Sequence, residues 1–448
     1  MTDAPDRLSK QGALKLAGRA FGHRNYRLFF AGQGISLIGT WMQQIAMSWL
    51  VYRLTGSPSL LGLIGFVTMA PVFFVTSVAG VFVDRWDRRR LLLLTNLLAM
   101  IQAAILGVLT LTGHIAVWHI FVLGCCLGFV NAFDMPTRQA FLIDIVERKE
   151  DLNNAIALNS TMFNGARLVG PALAGLTVAA FGEGICFLIN SLSFLAIIVA
   201  LLAMRIRPRV KKADAGRPLE GFKEGYRYAF GFLPIRYCVM LVGLMALIGM
   251  QHSTLMPVFA KDVLHGGAHT LGFLVSASGT GALLAAFYFA SRKTVLGLDR
   301  LASIAVGLFG CANLAFCFSR SVTFSLFTMV VSGLGMMSAF LACNTIIQTV
   351  VEEDKRGRVM SFHAMASMGT VPFGSLIAGI VASHVGAPHA VFLSAGCCIV
   401  GSFFFALKVP SLRAATRPVY VALGIIKEVS AEAPRGATHS LPQRTRTS

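Results

Sequence analysis

Charge is what this sequence has least of. Only 13% of its 448 residues are Asp, Glu, Lys or Arg, while 55% are hydrophobic. Soluble domains carry about 25% charged residues, so a water-soluble enzyme or binding module is excluded. Acid is scarcer still: 20 Asp and Glu stand against 39 Lys and Arg, a net charge of +19. No Walker sequence is present, which excludes an ATP-driven pump, and no Ser/His/Asp set suggests an enzyme. The nine cysteines (Cys125, Cys126, Cys186, Cys238, Cys311, Cys317, Cys343, Cys397 and Cys398) show no metal-ligand spacing with histidine and no outward-facing pair. We read them as small apolar packing residues and expect neither metal nor cofactor. Residues 1–27 are basic but lack an apolar core and a cleavage site, so they are not a secretory signal.

Apolar runs are what the chain has in abundance. From residue 28 to 408 about twelve can be drawn, each about 20 residues long, the length a helix needs to cross ~30 Å of hydrocarbon. This predicts an all-α membrane protein with twelve transmembrane helices. Basic residues fall in every second gap. The other gaps hold only Arg53, Lys261 and Arg320, and Arg167 lies inside a span. The positive-inside rule then predicts both termini in the cytoplasm. The excess of positive charge suits an anionic inner leaflet, and no nucleic-acid module is present.

The two halves repeat each other at fixed offsets. Ile38-Gly39 and Leu61-Gly62 align with Ile248-Gly249 and Leu271-Gly272, each shifted by 210, and Gly170, Gly175 and Gly182 align with Gly374, Gly379 and Gly386, each shifted by 204. The expected organisation is a cytoplasmic segment 1–27, a six-helix half 28–204, a cytoplasmic linker 205–235, a second six-helix half 236–408 and a disordered basic tail 409–448. Two parallel repeats predict a pseudo-twofold axis along the membrane normal, with a cavity between them near the midplane.

Polar groups inside a bilayer are costly and point to function by default. Span 1 carries Ser36, Thr40, Gln44 and Ser48 at steps of four with Trp41 beside them, and the 210 offset places Gln251 and His252 at equal depth in the other half. Interhelical hydrogen bonding and a solute cavity both fit this stripe. Asp134 shares a helix face with Asn131 and Arg138; it is a structural partner of neighbouring arginines or a proton carrier. Arg167, on one face with Asn164 and Ser160, is too deep to snorkel and is either a cationic contact for the solute or a packing bridge. His252 is the second proton-carrying candidate. Gly170, Pro171 and Gly175 suit a hinge or close packing.

The loop running from Gly80 through Asp84, Arg85, Arg88 and Arg89 resembles motif A of the major facilitator superfamily. That resemblance implies a latch on the cytoplasmic side, joining the halves in the outward-facing state, with Asp134 and Arg138 as neighbours. Asn25 to Phe30, Gly39 to Gln43, Asn131 to Phe141, Asn164 to Gly175, Arg356 to Ser361 and Pro372 to Gly374 are similar to the enterobactin-exporter branch, over nearly the whole chain before the tail. The resemblance implies the major facilitator fold and a monomer in a bacterial-type plasma membrane. It also implies proton-coupled export of a siderophore-like small molecule by alternating access. A multidrug or macrolide efflux pump is the alternative reading, and a non-transporting membrane receptor a remoter one.

Overall fold

The structure, a computed structural model, describes residues 19–146, 148–205, 227–292 and 294–426. Twelve long helices run through them: α1 (Arg24–Thr55), α2 (Pro58–Arg85), α3 (Arg88–Leu111), α4 (Val117–Ile145), α5 (Leu152–Phe181), α6 (Glu183–Ala203), α7 (Leu233–Val263), α8 (Ala268–Ser291), α9 (Leu298–Phe318), α10 (Val322–Val350), α11 (Arg356–Val385) and α12 (Ala387–Ala422). Ten are long and apolar enough to cross a membrane. The other two, α1 and α5, are 32 and 30 residues long. Gln43 and Gln44 in α1, and Asn164 and Arg167 in α5, lower their apolar content.

Local chemistry sets the breaks between helices. Ser57 accepts a hydrogen bond from the Leu60 amide (3.4 Å) with Pro58 at the first helical position, and Asp87 accepts from the Arg90 amide (2.9 Å), both ordinary N-caps. The α5–α6 and α11–α12 turns each pivot on one glycine at positive φ, Gly182 (83°) and Gly386 (84°). These are repeat mates, so the same turn is built twice. Symmetry fails inside two helices. α7 passes through π-helical turns at Met245–Gly249 and Phe259–Val263, and α11 through one at Met365–Gly369. Their counterparts α1 and α5 are uninterrupted.

Each half packs by the same scheme: α1 against α5 and α6, α2 against α4, and α3 against α4 and α6, with the corresponding pairs in α7–α12. The halves meet chiefly where α5 crosses α8 and α2 crosses α11. Because α2 and α8 are repeat mates, as are α5 and α11, these are one contact made twice about a twofold axis. Glycine permits both crossings. A Cβ on Gly62 would stand 2.8 Å from Gly379 Cα, and one on Gly272 would stand 2.9 Å from Gly175 Cα. All four glycines belong to the offset series read from the sequence.

The buried cores show how the halves are arranged. At the end farthest from the termini one core joins both halves, with Leu50, Leu61, Ile64 and Phe187 on one side and Leu255, Phe259, Leu271 and Val391 on the other. At the end bearing the termini each half keeps its own core, around Phe29, Leu92 and Phe141 in one and around Ile235, Phe309 and Ile346 in the other. The bundle is thus closed at the far end, and its halves are parted at the other. Large apolar side chains such as Phe74, Leu192, Val199, Phe403 and Phe404 are exposed around it, as lipid contact requires.

The tail departs from expectation. A disordered segment was expected from 409, yet α12 continues to Ala422 through Pro410 and Pro418. Leu412, Thr416 and Tyr420, four residues apart, are buried against the second half, and Arg413 pairs with Asp299 in α9. One apolar stripe and one ion pair outweigh two helix-breaking prolines. The expected linker from 206 to 226 and the tail from 427 lie outside the described residues.

Candidate functional site

On α5, Ser160, Asn164 and Arg167 lie on the side turned away from Val169 and Leu176, which are exposed to lipid. Gly170 seats α1 against this helix: a Cβ there would lie 2.6 Å from Trp41 Cβ. That close approach brings the Trp41 ring under Arg167, whose Cζ is 5.9 Å from the ring centroid, within cation–π range. Phe163 meets Trp41 edge-on with centroids 5.9 Å apart. Arg167 makes no hydrogen bond or ion pair among the described residues. Asn164 donates to the Ser160 carbonyl (2.9 Å). The structure therefore joins Trp41, Asn164 and Arg167 into one aromatic and cationic patch facing the other half. Gln44 is exposed and Thr40 half-buried on the face of α1 that touches neither α5 nor α6.

The patch expected opposite is turned aside. Gln251 and His252 are both buried. His252 meets the Gly249 carbonyl through Nδ1 (3.3 Å) and lies edge-on to Phe309 of its own half, with centroids 5.6 Å apart. Ser253 is the exposed residue here, and Thr254 bonds Ser375 of α11 (3.2 Å). By the 210 offset His252 is the mate of Met42, which is likewise buried, so equal depth did not mean the exposed face of Gln44.

Asp134 is also held within one half. Its carboxylate accepts from Thr95 Oγ1 (2.9 Å) and Asn96 Nδ2 (3.2 Å) of α3 and pairs with Arg138 one turn on, while Asn131 is half-buried on the same face. It does not reach Arg167. A neighbouring buried chain was not foreseen: Gln43, not Gln44, donates to Gln102 (2.9 Å) and accepts from Asn190 (2.7 Å), tying α1 to α3 and α6.

Gly80 and Asp84 lie on α2, and the Asp84 side chain is outside the described residues. Arg85 is exposed. Arg88 donates to Asp144 (2.9 Å) and the Ala140 carbonyl (3.2 Å), and Arg89 to the Leu201 and Leu202 carbonyls (2.8 and 2.9 Å). These bonds join α3 to α4 and α6, within one half. Gly175 and Pro171 belong to the α5–α8 crossing, where the Pro171 carbonyl meets Gly272.

At the closed end a contact the sequence reading missed spans the halves. Tyr52 OH, ending α1, donates to Asp262 Oδ2, ending α7, and Lys261 Nζ lies 5.5 Å from the Tyr52 ring centroid. Tyr52 and Asp262 are 210 residues apart. The repeat offset therefore pairs them and could have revealed them as neighbours on the axis. Arg53 binds Glu183 of its own half (2.7 Å).

Comparison with known proteins agrees with this architecture. Residues 19–422 match the model of a family described as transmembrane secretion effector. The Staphyloferrin A transporter of Staphylococcus aureus is 26% identical over 85% of this chain and 95% of its own length. The multidrug efflux pump Tap of Mycobacterium tuberculosis is 28% identical over 86% and 91%. Among solved structures, a bacterial homologue of the iron transporter ferroportin in an inward-facing state superposes with a TM-score of 0.67 at 15% identity, covering 86% of this chain and 98% of that one. An inward-facing, unoccupied bacterial homologue of the lysosomal transporter Spinster gives 0.63 at 14%, covering 88% and 98%. Two repeated six-helix halves, crossing at paired glycines and parted at one end, thus have their place: the chain belongs to the transmembrane secretion effector family of the major facilitator superfamily and is a multi-pass membrane transporter.

Proposed function

We propose that this transporter is an exporter working by alternating access, with both termini in the cytoplasm and its parted end facing inward, ready to load solute. The observation carrying the proposal is the single core shared by both halves at one end against two separate cores at the other. Rocking about the α2–α11 and α5–α8 crossings would separate the shared core and join the other two. Tyr52, Asp262 and Lys261 close the outer side in this form. Asp84, with Arg85, Arg88 and Arg89, closes the inner side in the alternate one. Asp84→Asn is expected to lower transport without preventing insertion, and to raise labelling of cysteines placed in the inner cavity. Labelling equal to the parent's would remove the latch role.

The solute site is the patch of Trp41, Asn164 and Arg167, with Thr40, Gln44 and Asn131 as further candidates and Gln251 and His252 buried in the other half. A siderophore-like solute is the first reading, supported by the kinship with the Staphyloferrin A transporter. Kinship with Tap supports the second, a multidrug pump. So do Met365 and Met368, exposed around the π turn of α11 (41% and 72%), since thioethers adapt to varied shapes. A deletion strain grown without iron separates them: loss of extracellular siderophore supports the first, and antibiotic hypersensitivity with normal siderophore release supports the second. The proton gradient is the proposed drive, with Asp134 and His252 as candidate carriers. Solute movement in inverted vesicles should stop when the pH gradient is collapsed, and unchanged flux would exclude proton coupling.

A further inference from the structure

We propose that the exported solute is an anion, held through a carboxylate or a similar oxyanion by Arg167 above Trp41. The inference deepens the exporter reading and rests on it for the word exported, but its physical basis is separate. A charge within the bilayer is tolerated when it is paired or lines a water-filled cavity. Arg167 stands near the middle of the 30-residue α5 and has no ion-pair or hydrogen-bond partner among the described residues. Its side chain meets the Trp41 face, which offsets part of a cation's desolvation yet leaves the planar donors of the guanidinium available. Those donors match a carboxylate in pairs.

Nearby groups give the guanidinium no counterion. Asp134 sits in mid-helix on the same half, but Thr95, Asn96 and Arg138 already hold it. Across the gap, His252 is bonded to the Gly249 carbonyl and faces Phe309. Phe163, 43% exposed, extends the aromatic wall next to Trp41. A positive point on an aromatic floor selects an amphipathic anion and repels an organic cation of the same shape. Its position between the halves also lets the solute, once bound, neutralise the charge before the cavity closes around it.

The test reads the charge of the site directly. Trp49→Phe, Trp86→Phe and Trp118→Phe leave Trp41 as the sole tryptophan of four. Its fluorescence in purified, detergent-solubilised protein is then quenched by iodide and, separately, by uncharged acrylamide. An unpaired Arg167 concentrates iodide beside the ring, so the iodide-to-acrylamide quenching ratio should fall at least about twofold in Arg167→Gln and persist in Arg167→Lys. Citrate at constant ionic strength should protect Trp41 from iodide in the Arg167 protein. An equal ratio in Arg167→Gln overturns the proposal. If that variant fails to fold, failure of citrate to protect overturns it instead. The ratio reports binding alone, so absence of flux in vesicles with the ratio intact would sink the exporter reading and leave the anion site standing.

Discussion

At the scale of single residues, a step of one position decides a role. Gln43 and Gln44 are adjacent and chemically identical, but Gln43 is buried between Gln102 and Asn190 while Gln44 is exposed. The stripe at steps of four runs from Ser36, which is buried, to Gln44, which is exposed, and the buried chain from Gln43 to Asn190 and Gln102 stayed hidden because it has no linear spacing. Gln43→Ala orphans two buried amides and is expected to lower stability by about 1–3 kcal/mol, seen as a lower unfolding temperature in detergent. Asp134→Ala leaves Arg138 without its carboxylate inside the helix bundle. The expected loss is about 3 kcal/mol or more, again by thermal unfolding, whereas Asp134→Asn keeps acceptors for Thr95 and Asn96 and should lose less.

At the scale of elements, spans and closely packed glycines were legible because helices that cross lipid need long apolar runs and close crossings need glycine. Gly175, Gly272, Gly62 and Gly379 stood in the repeat, and the structure gives each a backbone neighbour that a side chain would strike. Gly272→Val should therefore push α8 from α5, costing about 1–3 kcal/mol by overpacking, and widen the spin-label distance between the ends of these helices farthest from the chain termini. A narrower or unchanged distance would count against the crossing as a pivot. The π turns were illegible, since nothing in composition marks an inserted residue. Where α1 and α7 end, Tyr52→Phe removes the hydrogen bond to Asp262. A bond to a charged group is worth about 1.5–3 kcal/mol, so the population open at that end should rise roughly tenfold or more. Double electron–electron resonance between labels on the α1–α2 and α7–α8 loops would measure it.

At the scale of the whole molecule, the twofold plan was readable from offsets, but which end is closed was not. Both arrangements use the same sequence and nearly the same helices, and they differ in which residues meet across the gap. The arginine-rich loop shows why this matters. Arg88 and Arg89 were read as cross-half ties, but with the halves parted at their end they satisfy Asp144 and three carbonyls of their own half. A motif records what a residue can bind, and the conformation decides what it does bind.

The modest oiliness of α1 and α5 has a consequence for biogenesis. Each is followed almost at once by a strongly apolar helix, α2 after Gly56 and Ser57, and α6 after Gly182. Neither of the polar pair is suited to partition from the translocon alone, so each should enter as a hairpin with its successor. A nascent chain fused to a glycosylation reporter after Phe181 should leave α5 poorly integrated, and extension through Ala203 should restore it. The polar side chains of α1 and α5 would then also set the order in which the bundle's walls can be laid down.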